Sequence, residues 1–226
     1  MALNAVNLFW TVLIIEWAFA NSKIIKMKGY NKLRKKSWDL LNSGLPRELY
    51  YHSIRHTKSA LKNCEAYIGY FNINSYDSKL LRIGVLLHDI GFTVSLDNHE
   101  VEGAKIATKL MRQYDFSKND IEVVTGLILA TRMPQRPTNL MQRIICDVDL
   151  DYLGRKDFYE ISDLLYRELL ERSELFDRLQ WNRIQIEFLE KHSYHTEFAK
   201  KRRQGSKESR IAELKYMVAS SRRKIV

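Results

Sequence analysis

Glycine and proline are scarce in this chain, nine and three of 226 residues. Ordinary usage would supply about twice as many turn-formers. Sandwiches and barrels need a turn signal every few residues, so the scarcity argues against them and favours long helices. Hydrophobic residues make up 45% of the chain, a globular share and too high for a disordered segment. A chain of this length buries a core without staples. Two cysteines, Cys64 and Cys146, make neither a disulfide framework nor a Cys-rich zinc finger. Both lie in apolar helical patterns, so reduced core thiols in a cytoplasmic protein are expected.

The formal charge is +10, and it is unevenly spread. Residues 1–44 carry seven basic and two acidic side chains, residues 200–226 carry ten and two, and the middle carries 20 against 23. A large positive charge invites a nucleic-acid reading. The basic excess belongs to the two ends, however, and the runs Lys200–Arg203 and Arg222–Lys224 lack interleaved aromatics. Such runs are usually solvated faces. Nucleic acid is therefore disfavoured as a partner, and a small phosphorylated compound is expected instead.

Residues 1–20 are strongly apolar, with Ala18-Phe19-Ala20 shaped like a cleavage site. Against a signal peptide or membrane span stand the lack of a preceding positive charge, Glu16 inside the run, and an apolar core shorter than a span requires. The expectation is an extra N-terminal helix or a non-native extension before Met27, with membrane association through residues 1–20 the alternative.

Helical periodicity continues along the chain. It predicts a basic helix over 30–45 ending at Gly44, a new element with Pro46 in its first turn, and helices over 53–72 and 78–90. Further helices are predicted over 99–114, 118–132, from Thr138 or Asn139 onward, 158–170 and 181–189. No strand alternation is convincing. The expected division is an N-terminal extension 1–44, a central domain 45–175, and C-terminal helices with a basic tail 176–226.

The chemistry concentrates in the central domain. His88-Asp89 follows the unbroken apolar run Gly84-Val-Leu-Leu, and Ile90-Gly91 ends the helix there. A carboxylate at the end of a buried helix is costly unless paired, and a divalent cation is the obvious partner. Two ligands are too few. His52 and His56 share one helical face at i, i+4 spacing, and Asp147, Asp149 and Asp151 follow a second apolar run, Ile144-Ile-Cys.

A histidine, an adjacent His-Asp pair, then an aspartate after an apolar helix: this order resembles the HD-domain superfamily of metal-dependent phosphohydrolases over roughly residues 47–170. The resemblance implies an all-α, HD-domain-like helical bundle. Matched residue by residue, it implies His56, His88, Asp89 and Asp147 as metal ligands, with Asp149 the alternate. Tyr51-His52-Ser53 is similar to the Tyr-His-Asn of cyclic-nucleotide phosphodiesterases, with Ser53 in place of Asn, and points to His52 as the general acid. His99, eleven positions after His88, corresponds to a second-ion ligand in two-metal relatives, but the histidines expected near Thr131-Arg132-Met133 are absent. The reading is one tight site, with a second ion held more weakly. His99 and Arg55 are taken as substrate contacts, and Arg132 as a catalytic cation for the phosphoryl group. A His₂Asp₂ set suits Mn, Fe, Co, Ni or Zn better than Mg. His192 and His195 are read as packing or capping residues. Phe92 stands where stringent-response hydrolases and bacterial 5′-nucleotidases carry Glu. The expected function is divalent-metal-dependent hydrolysis of a phosphate ester, a nucleotide or related small compound. A non-catalytic nucleotide- or partner-binding module is the alternative.

Overall fold

The structure is a computed structural model and describes residues 28–174 and 177–223. The apolar segment 1–20 and the start at Met27 lie outside the described residues. Within them the chain forms nine α-helices and no strand, as the scarcity of turn-formers required. The helices are α1 (Tyr30–Gly44), α2 (Ile54–Tyr70), α3 (Ser75–Leu87), α4 (His99–Gln113), α5 (Lys118–Ala130), α6 (Leu140–Asp149), α7 (Phe158–Glu171), α8 (Arg178–Lys191) and α9 (Glu197–Arg223). Short 3₁₀ turns, Ile90–Thr93 and Asp151–Gly154, follow α3 and α6. No described helix is long and apolar enough to cross a membrane.

Helix starts follow local chemistry. Asn74 accepts from the amides of Tyr76 and Asp77, Asn139 from Gln142 and Asp177 from Gln180. Ser117 and Asp120 cap α5 reciprocally. Pro46 departs from expectation. Residues 45–53 form turns and bends, and Leu49 N–H closes a turn onto Pro46 C=O at 3.3 Å. Proline's fixed φ suits the start of a turn as well as that of a helix.

α3 is apolar on most sides because it runs through the centre, with Leu80, Leu81, Ile83, Val85, Leu86 and Leu87 all buried. It touches α1, α2, α5 and α6. Three apolar clusters result: α1, α3, α4 and α5 share one; α2, α3, α5, α6 and the start of α9 share another. The third joins Tyr51, the Asp151–Gly154 turn, α7, α8 and α9. Cys64 and Cys146 are buried and unpaired in the described structure.

Two glycines permit close crossings. A Cβ on Gly91 would stand 1.8 Å from the His99 carbonyl oxygen, so only glycine lets the turn after α3 lie against the start of α4. A Cβ on Gly154 would meet the Arg203 carbonyl oxygen at 2.4 Å, so α9 crosses the turn after α6 at backbone contact. Arg203 fastens that crossing with two bonds to Asp151, at 2.8 and 2.9 Å. Lys207, 2% exposed, donates to the Leu189 and His192 carbonyls at the end of α8. It thereby satisfies acceptors that the helix leaves open.

Candidate metal centre

Three helices deliver the cluster. His56 comes from the first turn of α2, His88-Asp89 from the end of α3, and Asp149 is the last residue of α6. Nε2 of His56 lies 3.0 Å from Nε2 of His88. Asp149 Oδ1 stands 3.2 Å from His56 Nε2 and 3.4 Å from His88 Nε2. Asp89 Oδ2 stands 3.5 and 3.2 Å from the same two nitrogens. Two helix C-termini thus point their negative ends, and a carboxylate each, at one spot, which favours a cation.

The donor set fits a divalent ion on three counts. Adjacent donors around an ion with bonds of about 2.1 Å stand about 3.0–3.4 Å apart, and the separations from the two imidazole nitrogens here run from 3.0 to 3.5 Å. Asp89 Oδ2 is buried and lacks a hydrogen bond. His88 Nδ1 lies 2.8 Å from the Val85 carbonyl, which can only accept, so Nδ1 carries the proton and Nε2 offers its lone pair to the cluster. Without a cation, burial opposes every charge here, yet attraction between His88 and the carboxylates prevails. The imidazole is raised well above its ordinary range and both aspartates are held low.

Asp147, the residue preferred as fourth ligand from sequence, is elsewhere. Its carboxylate is fully buried and accepts from the amides of His195 (2.7 Å) and Thr196 (2.8 Å), just ahead of α9. Burial pushes its carboxyl up to about 6, against the two amides that favour its anion. Asp149, the alternate, faces the histidines. Residues two apart on a helix point about 200° apart, so one aspartate anchors α9 and the other joins the cluster.

The structure brings His52 and His99 to one cavity beside the cluster and leaves Arg55 and Arg132 out of that cavity. His52 Nδ1 donates to Glu168 Oε1 at 2.6 Å, while Glu168 Oε2 accepts from the amides of Tyr51 (3.0 Å) and His52 (3.2 Å). Glu168 is fully buried, 116 positions from His52. Burial disfavours the His52 imidazolium, but the Glu168 bond and the nearby aspartates outweigh it and raise its pKa. Sequence reasoning missed Glu168. The available signal was an acid on the apolar face of α7, in register with Phe158, Ile161 and Leu165.

Phe92 fills the space between His52 and His99, its ring centroid 4.5 Å from the first and 3.9 Å from the second. His99 Nε2 lies 3.7 Å from Asp89 Oδ1 and 3.6 Å from Glu100 Oε1. Arg55 and Arg155 line a smaller cavity that also reaches His56 and Asp149, and Arg55 pairs with Glu160 at 2.5 Å, both largely exposed. Arg132 donates to Asn98 at 3.2 Å on the surface, and only its neighbours Thr131 and Met133 line the large cavity beside the cluster. His192 is buried in packing, with neither ring nitrogen bonded. The His195 ring meets Gln135 at 3.1 Å.

Residues 49–152 match the family model of the HD domain. No curated protein and no solved structure matched the chain. The matched span contains His56, His88, Asp89 and Asp149, while Glu168 and helices α7–α9 lie beyond it. Residues 49–152 therefore carry an HD domain, and HD domains are typically metal-dependent phosphohydrolases.

Proposed function

We propose that the protein is a metal-dependent phosphohydrolase with His56, His88, Asp89 and Asp149 holding one divalent ion. The observation that carries this is the convergence of His56, His88 and Asp149 from three helices, with the unsatisfied Asp89 oxygen 3.5 and 3.2 Å from the two imidazoles. Imidazole and carboxylate together favour Mn, Fe, Co, Ni or Zn over Mg. A bound ion would lower the pKa of water and polarise a phosphoryl oxygen. His99, Glu100 and the second oxygen of Asp89 form a poorer set, consistent with a weaker second ion.

The chain's own residues supply the rest. Glu168 fixes the His52 ring through Nδ1, leaving Nε2 on the opposite edge, and His52 lines the cavity beside the cluster. With its pKa raised, His52 enters the reaction as an imidazolium and donates a proton to the departing oxygen. Glu168 holds ring orientation and tautomer, the task an acid performs behind a catalytic histidine. Phe92, between His52 and His99, keeps water from one side of the ring.

Elemental analysis of purified protein, with phosphoester hydrolysis measured after stripping and re-adding Mn, Ni or Co, tests this reading. The expected result is a bound transition metal and activity that returns with it. Equal rates for wild type and Asp89→Ala across a phosphoester panel would remove the enzyme reading.

A further inference from the structure

Beside the cluster opens a cavity of about 300 Å³, at the lower end for small-molecule sites. His52, Asp89, His99 and Asp149 lie at one end. The remaining wall is apolar, built mainly from Leu153, Phe158, Leu165, Trp181, Phe188 and Leu189. No Lys or Arg lines it among the described residues, and it holds a further acid, Glu100.

Thr131 and Gln185, its polar side chains away from the cluster, are already engaged. Ser162 donates to Gln185 Oε1 at 2.5 Å, and Gln185 Nε2 donates to Asn182 at 3.3 Å. Trp181 Nε1 donates to Ser162 at 3.2 Å, and Thr131 to the Ile128 carbonyl at 2.7 Å. The Tyr51 and Tyr152 hydroxyls stand at the metal end, where the Tyr51 ring packs on His56 at 4.9 Å and on Tyr152 at 5.3 Å. A nucleotide would bury most of its ribose hydroxyls and base edges against an apolar wall with few bonds to offer, a loss that such sites impose strongly. Within this cavity a di- or triphosphate would find no Lys or Arg, since Arg55 and Arg155 line the neighbouring smaller one.

We propose that the substrate is a phosphate monoester of an apolar alcohol, with the phosphate at the His56–His88–Asp89–Asp149 cluster and an alkyl or aryl body in the cavity walled by α7 and α8. This rests on the phosphohydrolase reading and deepens it. The nucleotide expected from sequence is the competing substrate. Half-exposed Met133 and Ile184 extend the apolar lining to the mouth, as entry of an apolar body requires.

The test uses the full chain loaded with Mn. Hydrolysis is measured on linear alkyl phosphates of increasing length, phenyl phosphate, and 5′-mono- and triphosphates of nucleosides. Binding of the matching alkyl phosphonates, which cannot be hydrolysed, is followed by calorimetry. The expected result is kcat/KM and phosphonate affinity rising about fourfold per methylene until the cavity is full. Ile184→Glu at the mouth and Phe188→Ala in the wall should flatten that dependence with metal content unchanged. Nucleotides turned over faster than the best alkyl phosphate, or a response flat in chain length, overturn the substrate class and leave the phosphohydrolase reading standing. Phosphonate binding that rises with length, with no ester hydrolysed, overturns the phosphohydrolase reading and leaves the apolar ligand class.

Discussion

Asp147 and Asp149 stand two residues apart on α6, yet they serve different regions. Asp147 faces the start of α9 and finds two backbone amides there. Asp149 faces α2 and α3 and finds two imidazole nitrogens, whose charge a cation would replace. Both are buried carboxylates at the end of the same helix. The partner decides the role: directional amide donors make an anchor, and a lone-pair cluster makes a candidate metal site.

Substitutions sharpen that contrast. The largest effect is expected for Asp149→Ala, which removes a proposed ligand. Metal affinity should fall by more than about 100-fold, beyond what loss of an outer-shell partner costs, and hydrolysis should vanish with it. Elemental analysis of the folded variant decides, and retained metal would show that the cluster closes without Asp149.

Asp147→Ala should leave metal content intact and destabilise the protein by about 2–4 kcal/mol, since two buried amides lose their acceptor. Denaturant unfolding beside metal analysis checks both halves. A variant that unfolds normally but lacks metal would reverse the assignment of the two aspartates.

Glu168→Gln keeps an acceptor for the amides of Tyr51 and His52 and weakens the charge behind the ring. Activity should drop about 10- to 100-fold, within the range a positioned acid contributes. Because Glu168 raises the His52 pKa, its loss should also move the alkaline limb of the kcat/KM profile to lower pH. An unshifted limb would reduce Glu168 to a structural role.

The smallest effect concerns His192, away from the cluster. Burial, then the nearby Lys207 charge, lowers its pKa to about 3. The folded value lies below the unfolded one, so the folded state resists protonation. Stability is full above about pH 6.5 and falls as pH drops toward 3, by about 2 kcal/mol at pH 5. His192→Leu should flatten this acid limb in urea titrations run from pH 7.5 to 4, and an unchanged limb would place the acid sensitivity elsewhere.

The helical pattern and the residue types of the site were legible in the sequence, because both are local properties. Periodicity placed α4 and α5 within two residues at each end, and His88-Asp89 after a buried run signalled an unpaired charge. Pro46 was misleading because its fixed φ serves a turn and a helix start alike. Arg55 and Arg132 could not be placed, because a long cationic side chain leaves no periodic trace of the surface it meets.

By itself, the chain's sequence determined an all-α protein with a His-Asp cluster, since helix propensity, period and ligand chemistry are written in neighbouring residues. Tertiary structure decided which aspartate faces the histidines. It also decided that Glu168 stands behind His52 and that α7 and α8 wall the cavity. Those outcomes depend on which faces of distant helices meet, a choice that packing across more than 100 residues makes and local pattern does not record.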